Sequence, residues 1–146
     1  MGEPRICIAT GDYHRPGETF INRHITEIFG GAAAVVAGRF HGEDPYGLPI
    51  FERRRKMSAV DTLQGVAWHV PLNLWRYRTS RLPFGAAKRD LRAFLRANAI
   101  DAVLAEFGSQ ALAMAPLANE MGLPVFTYFR GTDASKNVRR KMTAQA

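Results

Sequence analysis

The stretch IDAVLAEFGSQALAMAPLANEMGLPVFTYF, residues 100–129, decides the fold. It opens on a short apolar run, Ile100–Ala105, and closes on another, Val125–Phe129. Between them, Ser109–Met121 has the length and composition of a helix, and Gly122 stands where a helix stops. Pro116 inside that helix is expected to cost it a hydrogen bond and to bend it. Strand, helix and strand in this order are the repeating unit of a parallel sheet.

The same alternation extends toward the N-terminus. Arg5–Thr10 reads as a first strand, followed by Gly11 and Asp12, and the loop Gly11–Thr19 carries Pro16 and Gly17. Thr19 caps a helix whose apolar residues Ile21, Ile25, Ile28 and Phe29 recur at helical spacing. Gly30 and Gly31 end it, and Ala32–Ala37 reads as a second buried strand. Tyr46–Phe51 is a third candidate strand, disfavoured by Pro45 and Pro49. Ser58 to Asp61 has the form of a capping box and opens a helical pattern through Leu63, Val66 and Val70, interrupted at Pro71. Ala86–Asn98 is amphipathic, with Leu91, Phe94 and Leu95 on one face. The chain therefore reads as α/β: a Rossmann-like parallel sheet with helices on both faces.

Length and composition agree. With 146 residues, 47% hydrophobic and 23% charged, the chain reads as a single domain over residues 1–146. The lone Cys7 has no partner for an internal disulfide, and the N-terminus offers no signal-peptide core. These point to a cytoplasmic location. The formal charge of +7 is unevenly placed. Residues 53–96 hold eleven Lys and Arg against Asp61 and Asp90, a local excess of +9. Mixed with the aromatics of LWRYRTSRL, this segment suits an anionic membrane surface, on the inner face of the cell membrane. Its other reading is a solvated helix face beside ordinary core aromatics. No recognition motif for nucleic acid accompanies it, and no nucleic-acid partner is expected.

In a parallel sheet, ligands lie at the carboxyl ends of the strands. Three loops converge there: Gly11–Thr19, Glu106–Ser109 and Arg130–Ser135. Gly17, Glu18 and Thr19 precede a helix start, where backbone N–H groups favour anions; the plainer reading is a turn and a cap. Glu106 is placed to accept hydrogen bonds from sugar hydroxyls and Phe107 to pack on an apolar face, with Gly108 opening the next helix. Alternatively Glu106 faces solvent and Ser109 is only an N-cap. Arg130 can grip a diphosphate with its planar fork, Gly131 leaves room beside it, and Asp133 can orient it. An internal Arg130–Asp133 bridge that pins the loop is the other reading. His14, His24, His41 and His69 have no ligand spacing, and no metal is expected.

These loops together resemble the N-terminal domain of glycosyltransferase family 4, retaining enzymes with the two-domain GT-B fold. Gly17-Glu18-Thr19-Phe20-Ile21 stands where family members carry Ser-Glu-Thr-Phe-Ile. Leu104-Ala105-Glu106-Phe107-Gly108 stands where they carry His-Ala-His-Phe-Gly. PLANEMGLPVFTYFRGTDAS is similar to their helix, Gly-Leu-Pro turn, strand and His-Gly-x-Asp or Tyr-Gly-x-Asp segment. Arg130 occupies the position of the family's active-site histidine, and Glu106 that of a second histidine.

The resemblance implies sugar transfer from a nucleotide-sugar to a saccharide or lipid-linked acceptor in cell-surface polysaccharide synthesis. No metal or other cofactor is implied, since the leaving diphosphate takes the acceptor proton. Arg130 cannot act as a base but can offset charge on that diphosphate. Residues 1–146 then correspond to the acceptor-side half. A C-terminal domain absent from this chain would hold most nucleotide-sugar contacts, and the half alone is expected to be inactive. Two other readings stand beside this one: a self-contained Rossmann-like nucleotide-binding domain, and a non-catalytic interaction module using the basic flank.

Overall fold

The computed structural model describes residues 3–14, 19–40, 42, 44–53, 59–77 and 82–129. Five strands form one sheet: β1 (Ile6–Tyr13), β2 (Ala34–Phe40), β3 (Ile50–Glu52), β4 (Ala102–Glu106) and β5 (Val125–Tyr128). Their order is β3-β2-β1-β4-β5 and every neighbouring pair is parallel. Helix α1 (Thr19–Glu27) follows β1, α4 (Gly85–Ala97) precedes β4, and α5 (Gly108–Glu120) joins β4 to β5. A further helical stretch comprises α2 (Ala59–Gln64), a π-turn (Gly65–His69) and α3 (Val70–Tyr77).

Strand alternation sorts the core into two layers. Cys7, Ala9, Ala34, Val36, Val103 and Ala105 pack with Leu91 and Leu95 of α4 and Met114 and Leu117 of α5. Their neighbours Ile8, Val35 and Ala37 face the other way and pack with Ile21 and Ile25 of α1. Successive strand residues point to opposite faces, so strands that are apolar throughout must be covered on both. Burial pushes the Cys7 thiol up to about 12, against a smaller opposing effect of a backbone hydrogen bond from Val36.

The boundaries differ from expectation in instructive ways. β1 runs three residues past Thr10, because Asp12 and Tyr13 pair with Arg39 and Phe40. Gly11 and Gly38 permit this: a Cβ on Gly38 would lie 2.5 Å from the Gly11 carbonyl oxygen. The strand expected at Tyr46–Phe51 shrinks to Ile50–Glu52, and Pro49 contributes only its carbonyl, to the Val35 N–H. Helix passes through Pro71 instead of stopping. The preceding π-turn shifts the bonding to one residue further back, as in Val70 N–H to Gly65 O, where a missing proline N–H disturbs less. Pro116 likewise lies inside an uninterrupted α5.

At the end of β1, the buried Tyr13 hydroxyl donates to Asp44 Oδ1 at 2.7 Å. Asp44 also accepts the N–H groups of Tyr46 and Leu48, fixing the segment that leads to β3. Desolvation raises the Asp44 carboxyl, but the Tyr13 hydroxyl and the backbone N–H groups outweigh it and leave the group below its ordinary value. A lowered carboxylate adds stability that is complete above its unfolded value and lost as pH falls through the folded one. Tyr13→Phe is therefore expected to cost about 1 kcal/mol at neutral pH. Melting curves of both proteins should converge as pH drops below about 4.

Candidate functional site

Strand order reverses direction between β1 and β4, and the crevice at their carboxyl ends is where open parallel sheets bind ligands. Glu106 is the last residue of β4, at that carboxyl edge. On an alternating strand it shares the face of Leu104, the face that α1 covers. The residue is fully buried, which removes the solvent-facing reading of this carboxylate.

Glu106 Oε1 meets Nδ1 of His24 from α1, so the imidazole N–H donates to the carboxylate. Oε2 is also buried and has no hydrogen-bond partner among the described residues. A buried carboxylate oxygen left open in this way costs free energy unless something else satisfies it. Aromatic rings wall the pair. His24 meets Tyr128 edge-on at 5.0 Å and Phe20 at 6.2 Å, and Phe20 meets Phe107 at 6.1 Å.

The backbone at this point is held in an unusual form. Phe107 has φ 76° and ψ 148°, a conformation that non-glycine residues rarely adopt. Such a residue stores roughly 1–3 kcal/mol of strain and persists only where its surroundings fix it. Here the Phe107 N–H donates to Tyr128 O at 3.0 Å, and its carbonyl accepts the N–H groups of Gln110 and Ala111. Gly108 opens α5 directly behind it. A Cβ there would come within 2.9 Å of the Phe129 ring, so glycine lets that ring sit against the helix start.

A second polar cluster lies along the same edge. Arg53, immediately after β3, reaches across to Thr10 O at 3.3 Å and to Gln110 Oε1 of α5. Thr10 is buried and its hydroxyl donates to Asp12 O. Arg53 is thus drawn into the sheet edge and away from the basic surface expected of residues 53–96. Lys88 and Arg92 are similarly engaged, at 2.7 Å and 2.5 Å from Glu120.

The structure therefore pairs Glu106 with His24 and sets a second cluster of Thr10, Arg53 and Gln110 along the same sheet edge, none of which sequence reasoning placed there. His24 lies three residues after Ile21 and one before Ile25, beside the buried stripe of α1. That spacing was its only signal in the sequence. Thr19 is exposed at the first position of α1. Gly17, Glu18, Arg130, Gly131 and Asp133 lie outside the described residues, as does Ser58 of the proposed capping box. Among the described residues, no three His, Cys, Asp or Glu side chains gather as a metal-binding set. None of the described helices is long and apolar enough to cross a membrane.

No family model, curated protein or solved structure matches the chain.

Proposed function

We propose that this chain is the acceptor-side domain of a retaining GT-B glycosyltransferase, and that the Glu106 crevice binds sugar hydroxyls. The observation that carries the reading is the buried Oε2 of Glu106, unpartnered among the described residues, at the point where the strand order reverses. A carboxylate accepts hydrogen bonds only, and a hydroxyl is the neutral donor that sugars present in abundance. Phe107 and Tyr128 offer ring surface for the apolar face of a sugar, and the resemblance of three chain segments to glycosyltransferase family 4 supports the same class.

In the proposed reaction the bond between the anomeric carbon and the diphosphate breaks. The acceptor oxygen bonds to that carbon on the same face, and its proton leaves with the diphosphate. Glu106 orients a hydroxyl, and Arg130 offsets the charge growing on the diphosphate. The donor is a nucleotide-sugar held mainly by a second domain. The acceptor is a saccharide or lipid-linked saccharide of cell-surface polysaccharide synthesis, reached from the cytoplasmic side of the membrane.

Amide NMR spectra of the chain test the binding step. Oligosaccharide is expected to shift the amides of Phe20–His24 and Glu106–Gly108, and Glu106→Gln should weaken that binding about tenfold or more. Shifts produced by nucleotide alone at the end of β1 would instead favour a self-contained nucleotide-binding domain, which the strand order also suits. Silence toward both ligands would remove the proposal.

A further inference from the structure

The helical stretch from Ala59 to Tyr77 is built inside out. The side toward the body carries Gly65, His69 and Asn73, at the four-residue spacing of one helix face. Gly65 is buried under Phe84, where a Cβ would lie 2.3 Å from Cζ, and His69 stacks on the same ring at 5.1 Å. His69 and Asn73 line a groove against Leu82, Phe84 and Leu117. The apolar residues point outward. Val60, Leu63, Val66, Trp68, Leu74 and Trp75 are between 46% and 77% exposed. An ordinary surface helix buries its apolar stripe and exposes its polar one. This one leaves its large apolar residues, the half-buried Val70 excepted, on the outside beside Thr62, Gln64 and Arg76.

Single exposed apolar residues need no explanation, but a contiguous apolar surface marks a contact site. Charge and composition select the partner. Ala59–Tyr77 is itself charge-balanced, Asp61 against Arg76, but in the sequence Arg54, Arg55 and Lys56 precede it and Arg78 and Arg81 follow it. Arg76 stands exposed near its end, with its guanidinium 5.5 Å from the Tyr77 ring centre. Both tryptophans of the chain, Trp68 and Trp75, are on the exposed side. Tryptophan, aliphatic residues and neighbouring arginine suit the boundary between lipid headgroups and acyl chains. His69, Asn73 and Arg76 exclude a path through the bilayer and leave one lying in its surface.

We infer that Ala59–Tyr77 is a membrane-docking helix that lies in the interface of an anionic lipid surface, with Leu63, Leu74, Trp68 and Trp75 inserted among the acyl chains. This surface is independent of the reaction proposed at the sheet edge, so failure of either leaves the other standing.

Because the chain has no other tryptophan, its fluorescence reports on this helix directly. Vesicles of phosphatidylcholine and phosphatidylglycerol in equal parts are expected to shift the emission to the blue. Brominated acyl chains should quench it, and high salt should weaken the binding. Vesicles of phosphatidylcholine alone should bind at least tenfold more weakly. The double variant Leu63→Glu/Trp75→Glu should lose at least tenfold in partitioning at an unchanged melting temperature. Three results would overturn the inference: no quenching by brominated lipid in the wild-type chain, equal binding to both vesicle types, or a blue shift without lipid that grows with protein concentration. The last would assign the surface to a second copy of the chain.

Discussion

Arg130→Ala is expected, on the proposed glycosyltransferase reading, to lower sugar transfer by roughly 10²–10³-fold once the chain is joined to a donor domain, the usual loss when one donor to developing charge is removed. In the sequence Arg130 directly follows Phe129, one residue after the end of β5, and its own placement lies outside the described residues. Charge on the diphosphate grows as the anomeric bond breaks, so a guanidinium placed there acts more strongly on the transition state than on bound substrate. The loss should therefore fall on kcat more than on KM. Arg130→Lys should recover only part of it, because an ammonium keeps the charge and loses the planar fork. The assay is transfer from a nucleotide-sugar, run beside a melting curve for each variant. Wild-type transfer by Arg130→Ala, or a loss explained by unfolding, would make the residue a pin for its loop.

The second large effect is on stability. His24→Leu is expected to destabilise the fold by about 3 kcal/mol or more, because it strips a buried carboxylate of its partner. For a chain of this size that is a fall of roughly 10 °C in melting temperature. The double variant His24→Leu/Glu106→Leu should recover most of that loss, since a buried polar pair replaced by apolar groups of similar size is often neutral or better. Leu104 and Phe107 already offer apolar surface on that side of the sheet. Thermal melts of the two single variants and the double measure the coupling. The double variant should also fail to bind saccharide, so that stability returns without function. If its melting temperature falls further than either single variant, the pair is a structural strut and the crevice loses its claim as a binding site.

Much of the architecture could be read along the chain. Ile100–Ala105, Ser109–Met121 and Val125–Phe129 mapped onto β4, α5 and β5 with shifts of a residue or two, because each is an apolar run bounded by a strong stop signal. Strand ends were less legible, since they depend on a neighbour. Tyr13 joins β1 only because Phe40 lies opposite, and nothing local to Gly11-Asp12-Tyr13 announces that pairing. Pro71 misled for a related reason: a π-turn upstream accommodates it, and periodicity alone does not reveal one.

The candidate site divides along the same line. Glu106, Phe107 and Gly108 were legible because a charge, an aromatic and a glycine ending a buried strand are local facts. His24 was not, because its partner is 82 residues away and the two meet only when α1 covers the carboxyl end of β4. Arg53 read as part of a basic surface, yet its guanidinium turns toward Thr10 and Gln110 at the sheet edge. The inverted helix at Ala59–Tyr77 shows the limit most plainly. Its sequence has apolar residues at helical spacing, which normally mark the buried side. The sequence by itself determined a helical pattern through Leu63, Val66 and Val70, as it determined the parallel α/β alternation. Which side of the helix faces the body was decided by tertiary packing: the Phe84 ring fits only over a residue without a side chain, and Gly65 is the one that supplies that space.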